Sequence, residues 1–343
     1  MTEVVKGQVL LEAKGLTRHF LVRGDGGFFA KKHLVRAVDD INIQLRAGHV
    51  LAVVGESGSG KSVLSRMLSR INPPTSGELV LNGETIDLKS PRTLAYAAQV
   101  QLILQDPFAS INPVHKIMHA IERPLVIHGT KKEDVVAKSH EVLESVSLTP
   151  PQQYLDRYPH ELSGGQLQRI NIARGLAVNP KILLADEPIS MLDVSVRLGV
   201  LNLLRDLCDS RNLAMLYITH DIASARYIAD ETVVMYAGQI VERARDMSII
   251  DAPVHPYTQL LVSSVPDPEN LESSHESMSK DPGGAGFNYA GCRFSPRCPQ
   301  AMDICHGNQP PVVEIAEGHS SRCWLQASDA QRAAVSISKK VEH

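Results

Sequence analysis

The stretch that decides the fold is VLAVVGESGSGKS, running from Val50 to Ser62. Leu51 to Val54, with Val50 ahead of them, form an apolar run closed by glycine and read as a buried strand. Gly55 to Ser62 then fit G-x-x-x-x-G-K-[ST], the pattern of a phosphate-binding loop. Gly55, Gly58 and Gly60 let the backbone approach an anion, so successive N–H groups, those of Ser57 and Ser59 among them, can point at phosphate. The helix starting near Lys61 adds the positive end of its dipole. In such a loop Lys61 reaches the β- and γ-phosphates and the Ser62 hydroxyl ligates Mg²⁺. Taken by itself, the stretch also admits a plain Gly/Ser turn between strand and helix.

The flanking sequence alternates between strand and helix patterns. VLLEAKGL and AVDDINIQL read as strands, separated by a Gly-rich basic insertion, RGDGGFFAKKH. Phe20 lies just before that insertion, and its spacing favours a core aromatic over a ring laid on a nucleotide base. VLSRMLSRI is the helix that carries the loop, stopped by Pro73 and Pro74. SGELVLNGETI reads as a hairpin turning at Asn82 and Gly83. QVQLILQ is a second apolar strand ending at Gln105, followed by the turn-rich DPFASINP. Residues 114–160 hold helical patterns without strong strands, as expected of an inserted helical subdomain.

Three further stretches carry chemistry. In LSGGQLQRINIARGLA, Ser163 is an N-cap candidate with Gly164 and Gly165 behind it, which makes the helix start a second anion-binding end or simply a capped helix with a flexible entry. In KILLADEP, a buried strand closes on Asp186 and Glu187, and two acids there are costly unless they have a task. Asp186 suits holding a metal ion, and Glu187 suits orienting and deprotonating a water. AMLYITHD sets His220 just beyond another apolar strand, where it would sense a γ-phosphate. SMLD leads into the amphipathic helix VRLGVLNLLRDLCD, on which Cys208 reads as a small buried hydrophobe, and TVVMYAGQIVERA suggests a hairpin around Gly238. The alternation predicts a mostly parallel sheet with helices on both faces and ligand at the carboxyl ends of its strands.

Composition narrows the class. A net charge of −3 gives no global basic signal, so nucleic acid is not an expected partner. No uncharged run reaches the roughly 18 residues of a membrane-spanning helix. The start, MTEVVKGQVLLEAKG, carries acids within its apolar stretch and lacks a signal-peptide layout, so a cytoplasmic location is expected. Four of the five cysteines lie between Cys292 and Cys323, a clustering that points to metal more than to disulfides in a reducing compartment.

Together these motifs resemble the ATP-binding subunits of ABC transporters over roughly residues 8–330. GESGSGKS resembles Walker A, Gln105 the Q-loop, LSGGQ the signature, ILLADE Walker B, LD in SMLD the D-loop and His220 the switch histidine, all in family order. The resemblance implies an α/β P-loop NTPase of ABC type, with a RecA-like core, an antiparallel β-subdomain, a helical subdomain at about 106–175 and a small loop-rich C-terminal extension. The implied boundaries are an ATPase domain at 8–245, a connecting segment at 246–290, a Cys-rich extension at 291–328 and a disordered tail at 329–343. ATP and Mg²⁺ are then the expected ligands, with Lys61, Gln105, Glu187 and His220 catalytic and Ser62, Gln105 and Asp186 at the metal. Phe20 moves from core residue to adenine-stacking residue. Ser163, Gly164, Gly165 and Gln166, with Asp193 of the D-loop, would serve the triphosphate of an opposing subunit.

Within that family, RYPHELSGGQLQRI, HPYTQLLVSSVPDP and CRFSPRCPQAMDIC…CWL resemble the oligopeptide/dipeptide uptake group, whose relatives also carry short oligosaccharides. The implied partners are a second, related but non-identical ATPase subunit, two membrane permease subunits and, indirectly, an extracellular or periplasmic substrate-binding protein, with the chain on the cytoplasmic face of the membrane. The competing expectations are a soluble ABC ATPase acting on nucleic acid or ribosomes and a catalytically weak binding subunit. Ile189 and Met191 replace the small Thr and Ala usual in the D-loop motif, and Val63 replaces a hydroxyl residue; bulk there is expected to alter packing across a dimer. Cys292, Cys298, Cys305 and Cys323 are separated by five, six and seventeen residues, unlike C-x₂-C pairs. Four thiolates there could take zinc, take an iron–sulfur cluster or stay empty in a packed tail. The resemblance implies a 4Fe–4S cluster, shielded by Trp324.

Overall fold

The computed structural model describes residues 5–23, 32–245, 248–264 and 288–332. Residues 24–31 of the Gly-rich insertion, much of the connecting segment expected at 246–290 and most of the tail expected at 329–343 lie outside the described residues. The chain opens with two long strands, β1 (Val9–Arg23) and β2 (Lys32–Arg46), then β3 (Val50–Val54) and α1 (Lys61–Leu68). A short hairpin follows, β4 (Ser76–Leu81) and β5 (Glu84–Thr85), then α2 (Leu94–Gln99) and β6 (Val100–Ile103). Next come the helices α3 (Pro107–Ser110), α4 (Ile117–Ile127), α5 (Lys132–Glu144), α6 (Gln152–Leu155) and α7 (Gly164–Leu176). The chain then alternates through β7 (Ile182–Asp186), α8 (Val194–Arg211), β8 (Ala214–Thr219), α9 (Ile222–Ile228), β9 (Glu231–Tyr236) and β10 (Gln239–Arg245). It ends with α10 (Ser248–Asp251), α11 (Pro256–Ser263), α12 (Asp303–Gly307), β11 (Val312–Ala316) and β12 (His319–Arg322).

Two sheets organise these elements. One is antiparallel, in the order β2-β1-β4-β5. The other is eight-stranded, in the order β11-β12-β10-β9-β3-β8-β7-β6, and its run from β9 to β6 is parallel. β3, β7 and β8 are wholly buried along their length, which explains why their sequences are continuous apolar runs rather than alternating ones. One large apolar core lies between this sheet and the helices α4 to α8; a second joins its other face to the antiparallel sheet and α1. Sequence and structure agree at the two tight turns: Asn82 and Gly83, and Ala237 and Gly238, all have positive φ, the backbone of a type I′ hairpin turn.

Two details differ from the sequence expectations. α1 ends at Leu68, before the prolines, because Arg70 takes a left-handed backbone (φ 58°) and its amide bonds back to the Met67 carbonyl. The Cys-rich extension is more than loop: its hairpin β11–β12 pairs antiparallel with β10 and so lengthens the main sheet. Nothing local in VVEIA or HSSR reveals that pairing, since edge register depends on a partner strand some 75 residues upstream.

His255 caps α11, its Nδ1 accepting from the Tyr257 amide, within a cluster of Tyr236, Tyr257 and Phe294. Burial pulls its pKa from 6.5 down to about 3. The unfolded chain therefore takes up a proton that the folded chain refuses, so folding stability is intact above pH 6.5 and falls as the pH drops below it, at up to about 1.4 kcal/mol per pH unit. Denaturant titration at pH 7.5 and 5.5 checks this: His255→Asn, which keeps an N-cap acceptor, is expected to lose less stability over that interval than the native chain.

Candidate active site

The parallel strands deliver their carboxyl ends to one place. β3 runs into the Gly55–Ser62 loop, β6 leads to Gln105, β7 ends at Asp186 with Glu187 next, and β8 ends just before His220. A cavity of about 520 Å³ opens there, lined by Ala37, Ser57, Gly58, Lys61, Gln105, Glu187, Met191 and His220 among others. Neither Gly55 nor Gly60 has room for a side chain: a Cβ on Gly55 would lie 2.2 Å from the Met235 carbonyl oxygen, and one on Gly60 2.0 Å from that of Ala37.

Lys61 is buried and folded onto its own loop. Its Nζ donates to the carbonyls of Gly55 (2.7 Å) and Glu56 (2.9 Å) and reaches Ser59 Oγ at 3.4 Å. Burial lowers its pKa, partly offset by the charges of Glu187 and Asp186. At the other wall, Asp186 accepts from Ser62 Oγ (3.0 Å) and from Ser65 Oγ (3.2 Å). Burial raises the Asp186 carboxyl above its ordinary range, and those two hydroxyls work against that rise. Ser62 and Asp186, a hydroxyl beside a carboxylate under the phosphate loop, are the donor set a Mg²⁺ ion takes. Ser65 was not read from the sequence as part of the site. Its position one helical turn after Ser62, on the same face of α1, is the signal that locates it.

Glu187 sits at the centre of a second group. Its Oε2 accepts from Gln105 Nε2 at 2.9 Å and lies 3.2 Å from His220 Nδ1. Its backbone has φ 48°, a left-handed conformation that is uncommon outside glycine, Asn and Asp and marks strain of about 1 kcal/mol or more. The Glu187 amide donating to the Ile218 carbonyl across to β8, and Ser190 Oγ donating to the Glu187 carbonyl, hold it there. Gln105 and His220, 82 and 33 residues from Glu187 in sequence, thus meet it around one carboxylate oxygen.

Other candidates stand apart from this cavity. Phe20, on β1, is half-buried with the Arg18 guanidinium 4.8 Å over its ring and does not line the cavity. Ser163 caps α7 in a reciprocal box, its Oγ accepting from the Gln166 amide while Gln166 Oε1 accepts from the Ser163 amide. Gly165 is needed for packing, since a Cβ there would meet Val196 at 2.5 Å. Asp193 is the N-cap residue of α8. Within one chain, then, the Gly164–Gln166 helix tip does not join Lys61 in lining this cavity.

The four clustered cysteines are free thiols, as is Cys208. Burial pushes Cys292 up to about 12 and Cys323 up to about 11, and raises Cys298; in each case other thiols of the set add to the rise. Cys305 packs on Trp324, and Cys292 is tied to it by an amide donating to the Cys305 carbonyl at 2.8 Å. Cys292 and Cys298 pack against the Phe294 cluster, and Cys292 also against that of Trp324. Among the described residues, however, no three His, Cys, Asp or Glu side chains stand close enough to grip a metal ion as arranged. No described helix is long and apolar enough to cross a membrane.

The family description "ABC transporter" matches residues 38–190, and "Oligopeptide/dipeptide transporter, C-terminal region" matches residues 241–305. The dipeptide transport ATP-binding protein DppF of Haemophilus influenzae is 40% identical over 94% of this chain and 98% of its own length. DppF of Escherichia coli is 40% identical over 95% of this chain and 97% of its own. The oligopeptide transport ATP-binding protein AppF of Bacillus subtilis is 38% identical over 93% and 98%. A dimeric ATP-binding cassette, MJ0796, bound to ADP and phosphate, shares the fold with a TM-score of 0.58 at 24% identity, covering 69% of this chain and 98% of that one. A chain with this loop, this strand order and relatives this similar along nearly its whole length belongs to the ATP-binding subunits of ABC transporters, and it is an ATPase.

Proposed function

We propose that this chain hydrolyses Mg·ATP to drive peptide uptake through membrane permease subunits, and that the residues gathered around Glu187 carry the hydrolysis. The supporting observation is the convergence of Gln105 and His220 on Glu187 Oε2, beside the Ser62–Asp186 pair and Lys61. Lys61 turns from the Gly55 and Glu56 carbonyls to the β- and γ-phosphates, and the loop amides replace water around them. Ser62 and Asp186 would hold Mg²⁺, whose charge offsets that of the phosphates. Glu187 accepts a proton from the attacking water as its oxygen bonds to the γ-phosphorus and the bridging oxygen leaves with ADP. Gln105 orients that water, and His220 donates toward the γ-phosphate.

The Ser163–Gln166 tip serves the triphosphate of a second ATPase subunit, a related chain rather than an identical copy. Met191 and Val194, exposed at 59% and 79% beside Asp193, form an apolar rim on that face and support its pairing. The bulk of Met191 at the cavity mouth alters the packing across such a pair. The peptide reading rests on the substrates named for the relatives, dipeptides and oligopeptides. Short oligosaccharides, nucleic acid and ribosomes have no comparable support. The chain then sits on the cytoplasmic face of the membrane, held by the permease pair and served indirectly by a substrate-binding protein.

The cysteine set is proposed to hold a 4Fe–4S cluster, with Cys292, Cys298, Cys305 and Cys323 as its ligands. Residue type and burial support this; thiols pushed upward by burial ionise only when a cation compensates them. Such a cluster would staple the extension. Iron and sulfide analysis of anaerobically purified protein, with its visible spectrum, is expected to give about four irons per chain; colourless, iron-free protein would refute it.

Glu187→Gln is expected to bind ATP as before while steady-state turnover falls about 100-fold or more. Undiminished turnover removes Glu187 from the role of base. Lys61→Ala is expected to weaken ATP binding about tenfold or more in equilibrium titration; unchanged affinity overturns the phosphate-loop assignment.

A further inference from the structure

Glu56, the second residue of the phosphate loop, is held from two directions. Its carbonyl accepts from Lys61 Nζ and from the Ser59 amide at 3.2 Å, both inside the loop. Its amide donates to Tyr257 Oη at 2.9 Å, and its carboxylate takes a two-pronged bond from Arg297, at 2.8 and 2.9 Å. Tyr257 belongs to α11 and Arg297 to the Cys-rich extension, about 200 and 240 residues away in sequence. The Arg297 side chain is only 5% exposed and stacks against the Tyr236 and Phe294 rings. The fork is therefore fixed before it meets the half-buried carboxylate, and a bidentate charged pair is among the stronger polar contacts a protein makes.

A second path runs in parallel. Arg293 donates to the Ala237 carbonyl and to Asp39, and the next residue of that turn, Gly238, donates its amide to the Ser59 carbonyl at 2.9 Å. Tyr289 adds its hydroxyl as acceptor for the Arg36 amide, next to Ala37 at the cavity wall. The extension thus grips the loop at Glu56 directly and at Ser59 through one turn.

We propose that Arg297, supported by Arg293, is a positioning residue of the nucleotide site: the C-terminal extension sets the conformation of the phosphate loop through the Arg297–Glu56 pair. The proposal rests on the nucleotide reading of that loop. Arg297 touches no substrate; it acts by keeping the loop amides aimed at the phosphates, so its loss shows in ATP affinity.

The test is equilibrium titration of the full-length chain with Mg·ATP, alongside thermal melting. Arg297→Ala is expected to weaken ATP binding about five- to tenfold, with Arg297→Lys, which keeps charge but not the fork, between it and the native chain. Glu56→Gln, made on the loop side, is expected to give a similar loss, and the Arg297→Ala/Glu56→Gln double variant to be no worse than the weaker single. Arg322→Ala removes another cation of the extension, one that faces Asp40 at 3.8 Å and not the loop, and is expected to bind ATP normally. Native affinity in Arg297→Ala and Glu56→Gln, additive losses in the double variant, or an equal loss in Arg322→Ala each overturn the proposal. If Arg297→Ala does not fold, Arg297→Lys and Glu56→Gln decide. Lys61→Ala separates the two readings: if it abolishes binding while the Arg297 and Glu56 variants bind normally, the nucleotide site stands and the clamp falls.

Discussion

Two carbonyl oxygens, those of Met235 and Ala37, press on the phosphate loop so closely that Gly55 and Gly60 can carry no side chain. Everything else at the site is arranged around that constraint. The loop lies between the middle of β2, at Ala37, and the β9–β10 turn, so its amides are aimed by tertiary packing rather than by local propensity. Gly58, by contrast, would meet nothing within 4 Å. Its φ of 84° shows that it serves the backbone turn and not close approach.

Charge is the second determinant. Lys61, Asp186 and Glu187 are all buried, and an isolated charge at such depth would be costly. Each is satisfied by polar neighbours: loop carbonyls around Lys61, two serine hydroxyls on Asp186, Gln105 and His220 around Glu187. The buried charges of the site are thus mutually compensated. The positive φ of Glu187 adds strain at the one residue assigned to proton transfer, and strain of that kind persists only where surrounding bonds over-determine it.

How much of this could be read from sequence depends on whether the signal is local. The phosphate loop, the acids ending β7 and the type I′ turns at Asn82–Gly83 and Gly238 are local patterns with a steric or electrostatic reason, and they appear where expected. α1 stops short of its prolines because of a single residue's backbone, which no periodicity reports. Phe20 illustrates a different limit. Spacing favours the core and family resemblance favours a base, and the ring in fact lies half-buried under Arg18, outside the phosphate cavity. Ser65 was within reach of helical spacing. Arg297 was not: adjacent to Cys298, it reads as part of the cysteine motif, and its partner lies 241 residues upstream.

That last case bears on why the extension is built as it is. β12 covers the free edge of β10, with β11 outside it, so the strand that follows the Ala237–Gly238 turn is paired on both sides. The turn itself receives Arg293, and the loop beyond it receives Arg297. Cys292 directly precedes Arg293 and Cys298 directly follows Arg297. The segment bearing two of the thiols is therefore the segment that grips the loop. A small, loop-rich unit has too little apolar core to hold two arginines in fixed directions unaided. Sheet pairing at one end and the thiol group packed on Phe294 and Trp324 at the other supply what the core lacks. On this reading the extension's rigidity is not an end in itself: a guanidinium fork can position a carboxylate only if the turn carrying it cannot move.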